Sequence, residues 1–208
     1  APRGVSAARQ AQIAKAQAAL ADRRAVSDAK AAKAAGRRAD QKSARTASQG
    51  VAMLAKFKKQ QQRPGYKKML KVRMQLPALA QHDQVVDAIA QNTVTVISGA
   101  TGCGKSTQVP QFVLDAYLNS GRGGEASIVC TQPRRLAAMG VANRVAEERC
   151  ERPGGAIGYA MRGEKKFSAT DTRLLFCTTG VLLRRLGSDT AAEGLTHIFV
   201  DEVHERNV

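Results

Sequence analysis

Apolar residues recur at helical spacing in ALAQHDQVVDAIAQN (78–92), where Leu79, Val85, Val86 and Ile89 share one face. That spacing predicts an amphipathic helix. The next run, TVTVIS (93–98), is short and β-branched and predicts a strand. The alternation then continues. KSTQVPQFVLDAYLNS (105–120) reads as a helix closed by Gly121, ASIVCT (126–131) as a strand, and RRLAAMGVANRVAEER (134–149) as a helix. RLLFCT (173–178) reads as a third strand, TGVLLRRL (179–186) as a short helix and THIFV (196–200) as a fourth strand. Short apolar strands separated by helices predict an α/β fold, a parallel sheet with helices on both faces.

Before Pro77 the texture is different. Residues 1–50 hold 18 alanines and no aromatic, and no proline falls between Arg3 and Arg63. Alanine is the best helix former, so helix is expected there, with breaks at Gly36 and Gly50. Val5, Ile13, Leu20 and Val26 make only a thin stripe, too little to bury a core. VAMLAKFKKQQQ (51–62) continues this helical arm, Pro64-Gly65 ends it, and KKMLKVRMQLP leads into the second part. The expected division is a basic extension over 1–66, a lead-in over 67–76 and an α/β domain over 77–208.

Charge sharpens that division. The chain of 208 residues has a formal net charge of +16. Residues 1–76 hold 19 lysines and arginines against 3 acidic residues, and the rest hold 14 of each. The arm is therefore expected to bind RNA phosphates without base preference, since its one aromatic before Pro64 is Phe57. Arg, Ala and Ser without an acid over residues 1–21 also fit a mitochondrial presequence. No apolar run reaches the roughly 18 residues of a membrane span, so no membrane partner is expected. Cys103, Cys130, Cys150 and Cys177 form no C-x-x-C pair, which points away from zinc, and two of them sit in apolar runs (SIVC, LLFC) that read as core strands, so a reducing compartment is expected.

Candidate chemistry sits at two places. Gly99-x-x-x-x-Gly104-Lys105-Ser106 fits a phosphate-binding loop. Its glycines let backbone N–H groups surround a phosphate, and the following helix offers its positive end. Gly99, Ala100, Thr101, Gly102, Cys103, Gly104, Lys105, Ser106 and Thr107 are the candidate nucleotide-binding set. Lys105 would reach the β- and γ-phosphates, and the Ser106 hydroxyl would ligate Mg²⁺. The second place is Asp201-Glu202, at the end of THIFV. There Asp201 would hold Mg²⁺ and Glu202 would polarise the water attacking the γ-phosphate.

With both places in view, the chain resembles the DEAH/DExH-box RNA helicases. GATGCGKSTQVPQF is similar to their motif I, CTQPRRLAAMGVANRVAEER to motif Ia and its helix, and GYAMRGE to the segment after it. FCTTGVLLRRL is similar to motif Ib, and DEVHER to motif II. DEVHER with MQLPAL is most similar to non-spliceosomal members, including ribosome-associated and quadruplex-resolving ones. The resemblance implies a RecA-like P-loop NTPase lobe. It implies that Arg134, Arg135, Thr179 and Gly180 touch the RNA backbone and that Arg144 stacks on the nucleotide base. His204 would couple the ATP site to the motor. It further implies ATP, with other nucleoside triphosphates tolerated, as the cofactor alongside Mg²⁺. RNA would be the main partner, with rRNA, an RNP or the ribosome met through the basic arm. The location would be cytoplasmic, with nuclear or mitochondrial placement as alternatives.

Such helicases place ATP and RNA between two RecA-like lobes, with motif III (SAT) after motif II. Ser168-Ala169-Thr170 reads SAT but precedes motif II in a polar stretch, so it is taken as coincidence. The segment to Val208 is expected to carry half of each site and to hydrolyse little on its own. Two alternatives stand beside this reading: a catalytically idle helicase-like RNA- or ribosome-binding scaffold, and another P-loop NTPase.

Overall fold

The computed structural model describes residues 40–41, 43–188 and 194–205. Two compact units divide the chain, Ala1–Arg45 and Thr46–Val208. In the first, the described residues are helical. Gly36 and the stripe from Val5 to Val26 lie outside the described residues.

The second unit is built on a five-stranded sheet in the order β3-β2-β4-β1-β5. Its strands are β1 (Ile128–Gln132), β2 (Ile157–Met161), β3 (Glu164–Lys166), β4 (Leu174–Thr178) and β5 (His197–Val200). All neighbours pair parallel except β3, which turns back antiparallel on β2 at one edge. The β2–β3 hairpin is not among the strands the sequence pattern predicts. Its signal is nonetheless present, an apolar run IGYAM with Gly163 just beyond it, whose φ of +84° makes the turn.

Side chains alternate across the sheet with period two. Ile128, Cys130, Leu174, Phe176, Ile157, Tyr159 and Met161 join one buried cluster. Val129, Ala160 and Cys177 face the other way and meet Leu182. Helices α5 (Lys105–Asn119) and α6 (Arg135–Glu148) contribute to the first cluster, and α7 (Thr179–Ser188) covers the second. Each fully buried side chain of this size contributes about 1.5–3 kcal/mol. Both faces are covered, as a parallel sheet requires.

Two expectations are corrected. First, TVTVIS is not a strand. Residues 93–98 are irregular, and Val94 and Val96 are 80% and 90% exposed. The sheet stops at β5, no strand lies beside 93–98 among the described residues, and the Thr95 hydroxyl bonds the Ala88 carbonyl instead. A strand without a neighbour has no ladder to join.

Second, the helix does not break at Gly50 but runs on, as α1, through residues 46–61. Nor is this stretch solvated. A Cβ at Gly50 would fall 2.1 Å from the Gly121 carbonyl oxygen, and one at Gly124 would fall 2.1 Å from the Thr46 oxygen. The two glycines let the helix lie against the 121–124 turn. Phe57 is buried, edge-on to Tyr66 at 6.3 Å and beneath the Arg149 guanidinium at 5.0 Å. Gln60 bonds the Arg149 carbonyl, and Gln49 bonds that of Thr170 at 2.7 Å. The buried stripe runs Gly50, Phe57, Gln60, with Met53 and Leu54 half-buried between. A stripe containing glycine and glutamine is invisible to a reading of hydrophobicity. Pro64 then opens α2 (Pro64–Arg73) at its first turn, where a missing N–H costs nothing. α3 (Pro77–Ala80) and α4 (His82–Gln91) complete the approach to the glycine-rich loop.

Candidate functional site

The loop 99–104 is shaped by Gly102 and Gly104, whose φ values of +79° and +99° lie in the left-handed region. Gly104 caps α5 with no side chain over the helix end. The first ladder bond runs from the Gln108 N–H to the Gly104 carbonyl at 2.7 Å. The N–H groups of Lys105, Ser106 and Thr107 therefore precede the ladder and form the positive end of a 15-residue helix. Lys105 folds back across the loop, its Nζ donating to the carbonyls of Gly99 at 2.6 Å and Ala100 at 3.0 Å. The Thr107 hydroxyl closes the turn by bonding the Gly104 oxygen at 3.2 Å. Open N–H groups, a lysine and no Cβ at either left-handed position suit a phosphate chain.

The other residues gather at one rim of the sheet. Gln132 of β1 stands beside Thr178 of β4, and Thr131 stands beside Val200 of β5. The three parallel strands thus end together, and Arg134-Arg135, Thr179-Gly180 and Asp201-Glu202 leave from the same carboxyl edge. Ligands collect there in open α/β sheets. Asp201 is held by two donors, Gln132 Nε2 on Oδ2 at 2.5 Å and the Glu202 N–H on Oδ1 at 3.0 Å. Burial, and after it the Asp201 carboxylate, pushes the nearby Cys130 thiol up. Glu202 has φ +52°, a conformation that costs a non-glycine residue about 1–3 kcal/mol and concentrates at functional sites. Its carboxylate meets the next turn, with His204 Nδ1 3.4 Å from its Oε2. Arg134, largely exposed, donates to Glu205 at 3.1 Å and so joins the start of α6 to the segment after β5.

Arg144 stands apart from the rim, on α6, where its Nε donates to the buried Glu148 at 2.9 Å. No hydrogen bond or ion pair joins residues 99–106 to Asp201 or Glu202 among the described residues. Each half is tied together by its own direct contacts. A cleft of about 420 Å³ lies elsewhere, between α2 and α5 at Tyr66, Arg73 and Phe112, and contains none of the predicted site residues. Ser168-Ala169-Thr170 forms a tight turn, the Ser168 hydroxyl accepting the N–H groups of Thr170 and Asp171. Gln132 and Glu205 are site residues that sequence reasoning does not single out. For Gln132 the nearest signal is its place beside Pro133 in the run TQPRR.

No cluster of three or more metal-ligating side chains occurs among the described residues. A protein-only cage is not what magnesium with a triphosphate requires. That ion takes one or two protein oxygens and completes its shell with phosphate and water. The Ser106 hydroxyl and the Asp201 carboxylate are hard oxygen donors of that kind, so the residues present fit Mg²⁺.

No protein-family model matches the chain. Individual relatives do. The DExH-box ATP-dependent RNA helicase DExH3 of Arabidopsis thaliana is 52% identical over 145 residues, covering 70% of this chain and 12% of the relative. The human putative ATP-dependent RNA helicase DHX57 is 51% identical over 150 residues, covering 72% of this chain and 11% of the relative. Over the aligned 70% of its length the chain is homologous to the DExH/DEAH-box helicases. Human ATP-dependent RNA helicase DHX29 adds 49% identity over 158 residues, covering 73% of this chain and 12% of the relative. The chain spans between 10 and 16% of the length of the relatives it matches. Its sheet and flanking helices are those of a RecA-like helicase lobe.

Proposed function

We propose that this chain is the nucleotide- and RNA-binding part of the first lobe of an ATP-dependent RNA helicase of the DExH type. The observation that carries the reading is the shared carboxyl rim, where three neighbouring strand ends deliver two cationic or N–H-rich turns and an acidic pair to one edge. The loop 99–107 holds the triphosphate through the exposed N–H groups of α5 and through Lys105, which exchanges its contacts with the Gly99 and Ala100 carbonyls for phosphate oxygens. Ser106 and Asp201 would hold Mg²⁺, which when bound would offset charge on the phosphates. Glu202 orients the attacking water and accepts its proton, and His204, beside Glu202, reports that state to the rest of the protein. Arg134, Arg135, Thr179 and Gly180 grip RNA by its backbone, which positions the strand without reading sequence.

The N-terminal segment adds a second RNA contact. Lys56, Lys58, Lys59, Arg63, Lys67, Lys68 and Lys71 are all exposed, and no acidic residue occurs from residue 41 to residue 82. A cationic surface of this kind suits RNA phosphates in rRNA or an RNP, with a steep salt dependence. No described helix is long and apolar enough to cross a membrane. Cytoplasmic placement is part of this proposal and rests on the free, buried thiols of Cys130 and Cys177 and on the RNA partner.

The experiment is Glu202→Gln in the full-length protein, read by RNA-stimulated ATP turnover and by ATP binding. Turnover is expected to fall by about 10³-fold or more while ATP binding persists. Turnover near wild type would remove Glu202 from the chemistry. A wild-type protein that binds RNA but hydrolyses no ATP would favour the idle scaffold.

A further inference from the structure

The carboxylate of Glu148 takes no part in that chemistry, yet it is among the most confined charges in the molecule. It ends α6 with 1% of its side chain exposed. Its Oε2 accepts Gln108 Nε2 at 2.9 Å and Gln111 Nε2 at 2.8 Å, and its Oε1 accepts Arg144 Nε at 2.9 Å. Arg73 Nε, from α2, lies 3.8 Å away. Gln108 is itself fixed from both sides. Its Oε1 accepts Arg73 Nε at 2.8 Å, and its Nε2 also donates to the Thr107 hydroxyl that closes the phosphate loop.

A buried carboxylate is costly to desolvate unless it is fully paired, and this one is. Stapling α5 to α6 would explain the two glutamines. It does not explain Arg144, whose side chain is 43% exposed while its Nε is anchored on the buried acid. Pairing with Arg144 satisfies the second oxygen of that buried acid, and it does so with one nitrogen of a guanidinium whose remainder reaches solvent. The gain is orientation. Gripped at Nε by Glu148, with Nη1 3.7 Å from Glu147, the planar fork is held by its edge, which suits stacking of its face on an aromatic ring.

We propose that Glu148 is a positioning residue for nucleotide recognition. It fixes Arg144 to the helix that rises from the phosphate loop, so that one rigid unit meets both the base and the triphosphate. This rests on the assignment of Arg144 to the base. Glu148 acts through Arg144 and touches no nucleotide itself. Because its other oxygen serves Gln108 and Gln111, the distance between base contact and phosphate contact is set by one carboxylate.

The test uses the full-length protein and two probes, ATP and inorganic tripolyphosphate, each competed against a fluorescent nucleotide. Arg144→Ala is expected to weaken ATP about tenfold and leave tripolyphosphate unchanged, because only ATP carries a base. Glu148→Gln keeps an oxygen for the two glutamines and turns its amide donor toward Arg144, the orientation that satisfies more partners. It is expected to weaken ATP several-fold, again without changing tripolyphosphate, and to add nothing in the Arg144→Ala background. If Glu148→Gln does not melt cooperatively, Glu148→Asp, which keeps the charge but withdraws it from Arg144, is scored in the same way. Equal weakening of both probes would reduce Glu148 to a support for the phosphate loop and overturn the proposal. So would an unchanged ATP affinity in Glu148→Gln beside a weakened one in Arg144→Ala. If Arg144→Ala leaves ATP binding unaltered, the base contact falls, and the role of Glu148 falls with it.

Discussion

TVTVIS and THIFV carry the same kind of β-branched pattern and each leads into one half of the proposed ATP site, but only the second is a strand. β5 pairs along its length with β1, and Phe199 packs into the core. Residues 93–98 pair with nothing described and leave Val94 and Val96 in solvent. Even β5 is paired on one side only, with Ile198 and Val200 41% and 48% exposed. Pattern sets which face of an extended segment is apolar. A neighbour with its own open edge decides whether the segment becomes a strand.

Amide exchange should separate the two regions most widely. The N–H groups of Val129 and Cys130, inside a buried ladder, are expected to exchange about 10³-fold or more slowly than those of Val94 and Val96. Comparable protection would show that 93–98 has found a partner. A mutational pair sharpens the contrast in stability. Ile128→Ala removes a side chain that is almost fully buried and is expected to cost about 2–5 kcal/mol in chemical denaturation of the 208-residue chain. Val96→Ala is expected to stay within about 0.5 kcal/mol. A loss several times larger at Val96 would contradict its exposure.

The smallest effect concerns His197 on β5. Its Nδ1 is buried without a hydrogen-bond partner among the described residues, its ring stands edge-on to Tyr117 at 5.8 Å, and burial pushes its pKa below the ordinary value of about 6.5. A lowered histidine pKa favours the neutral form. Its contribution is complete above about pH 6.5 and is lost as pH falls from there through the folded value. The urea midpoint should fall between about pH 7.5 and about pH 5, and His197→Gln should flatten part of that slope. An identical slope in the variant would mean that His197 is not the titrating group.

Much of the fold was legible in the sequence because apolar runs and periodicity report burial, and burial decides the central strands. β1, β4, β5, α5, α6 and α7 all lie where the pattern put them. The pattern did not contain partners. It could not say that 93–98 lacks a neighbour, or that Gly50, Phe57 and Gln60 form a docking stripe, because two of those three residues score as non-hydrophobic. Of the candidate site, the residue types were legible: a glycine-rich loop with Lys105, where Gly104 takes the left-handed φ such a loop needs, and an acidic pair, Asp201-Glu202, that leaves the carboxyl end of β5. It was illegible where support is a matter of geometry. Nothing local marks Gln132 as the residue that holds Asp201, and the i,i+4 spacing of Arg144 and Glu148 does not tell that the acid is buried against Gln108 and Gln111.

The central claim is that the glycine-rich loop and the rim carboxylates serve a single magnesium–triphosphate. It is tested most directly by measuring ATP affinity of the full-length protein with and without Mg²⁺, in the wild type and in Asp201→Asn. Magnesium should strengthen ATP binding in the wild type, and Asp201→Asn should abolish that gain while leaving magnesium-free binding, which depends on the loop, intact. The same gain in both proteins would place Asp201 outside the site and contradict the account.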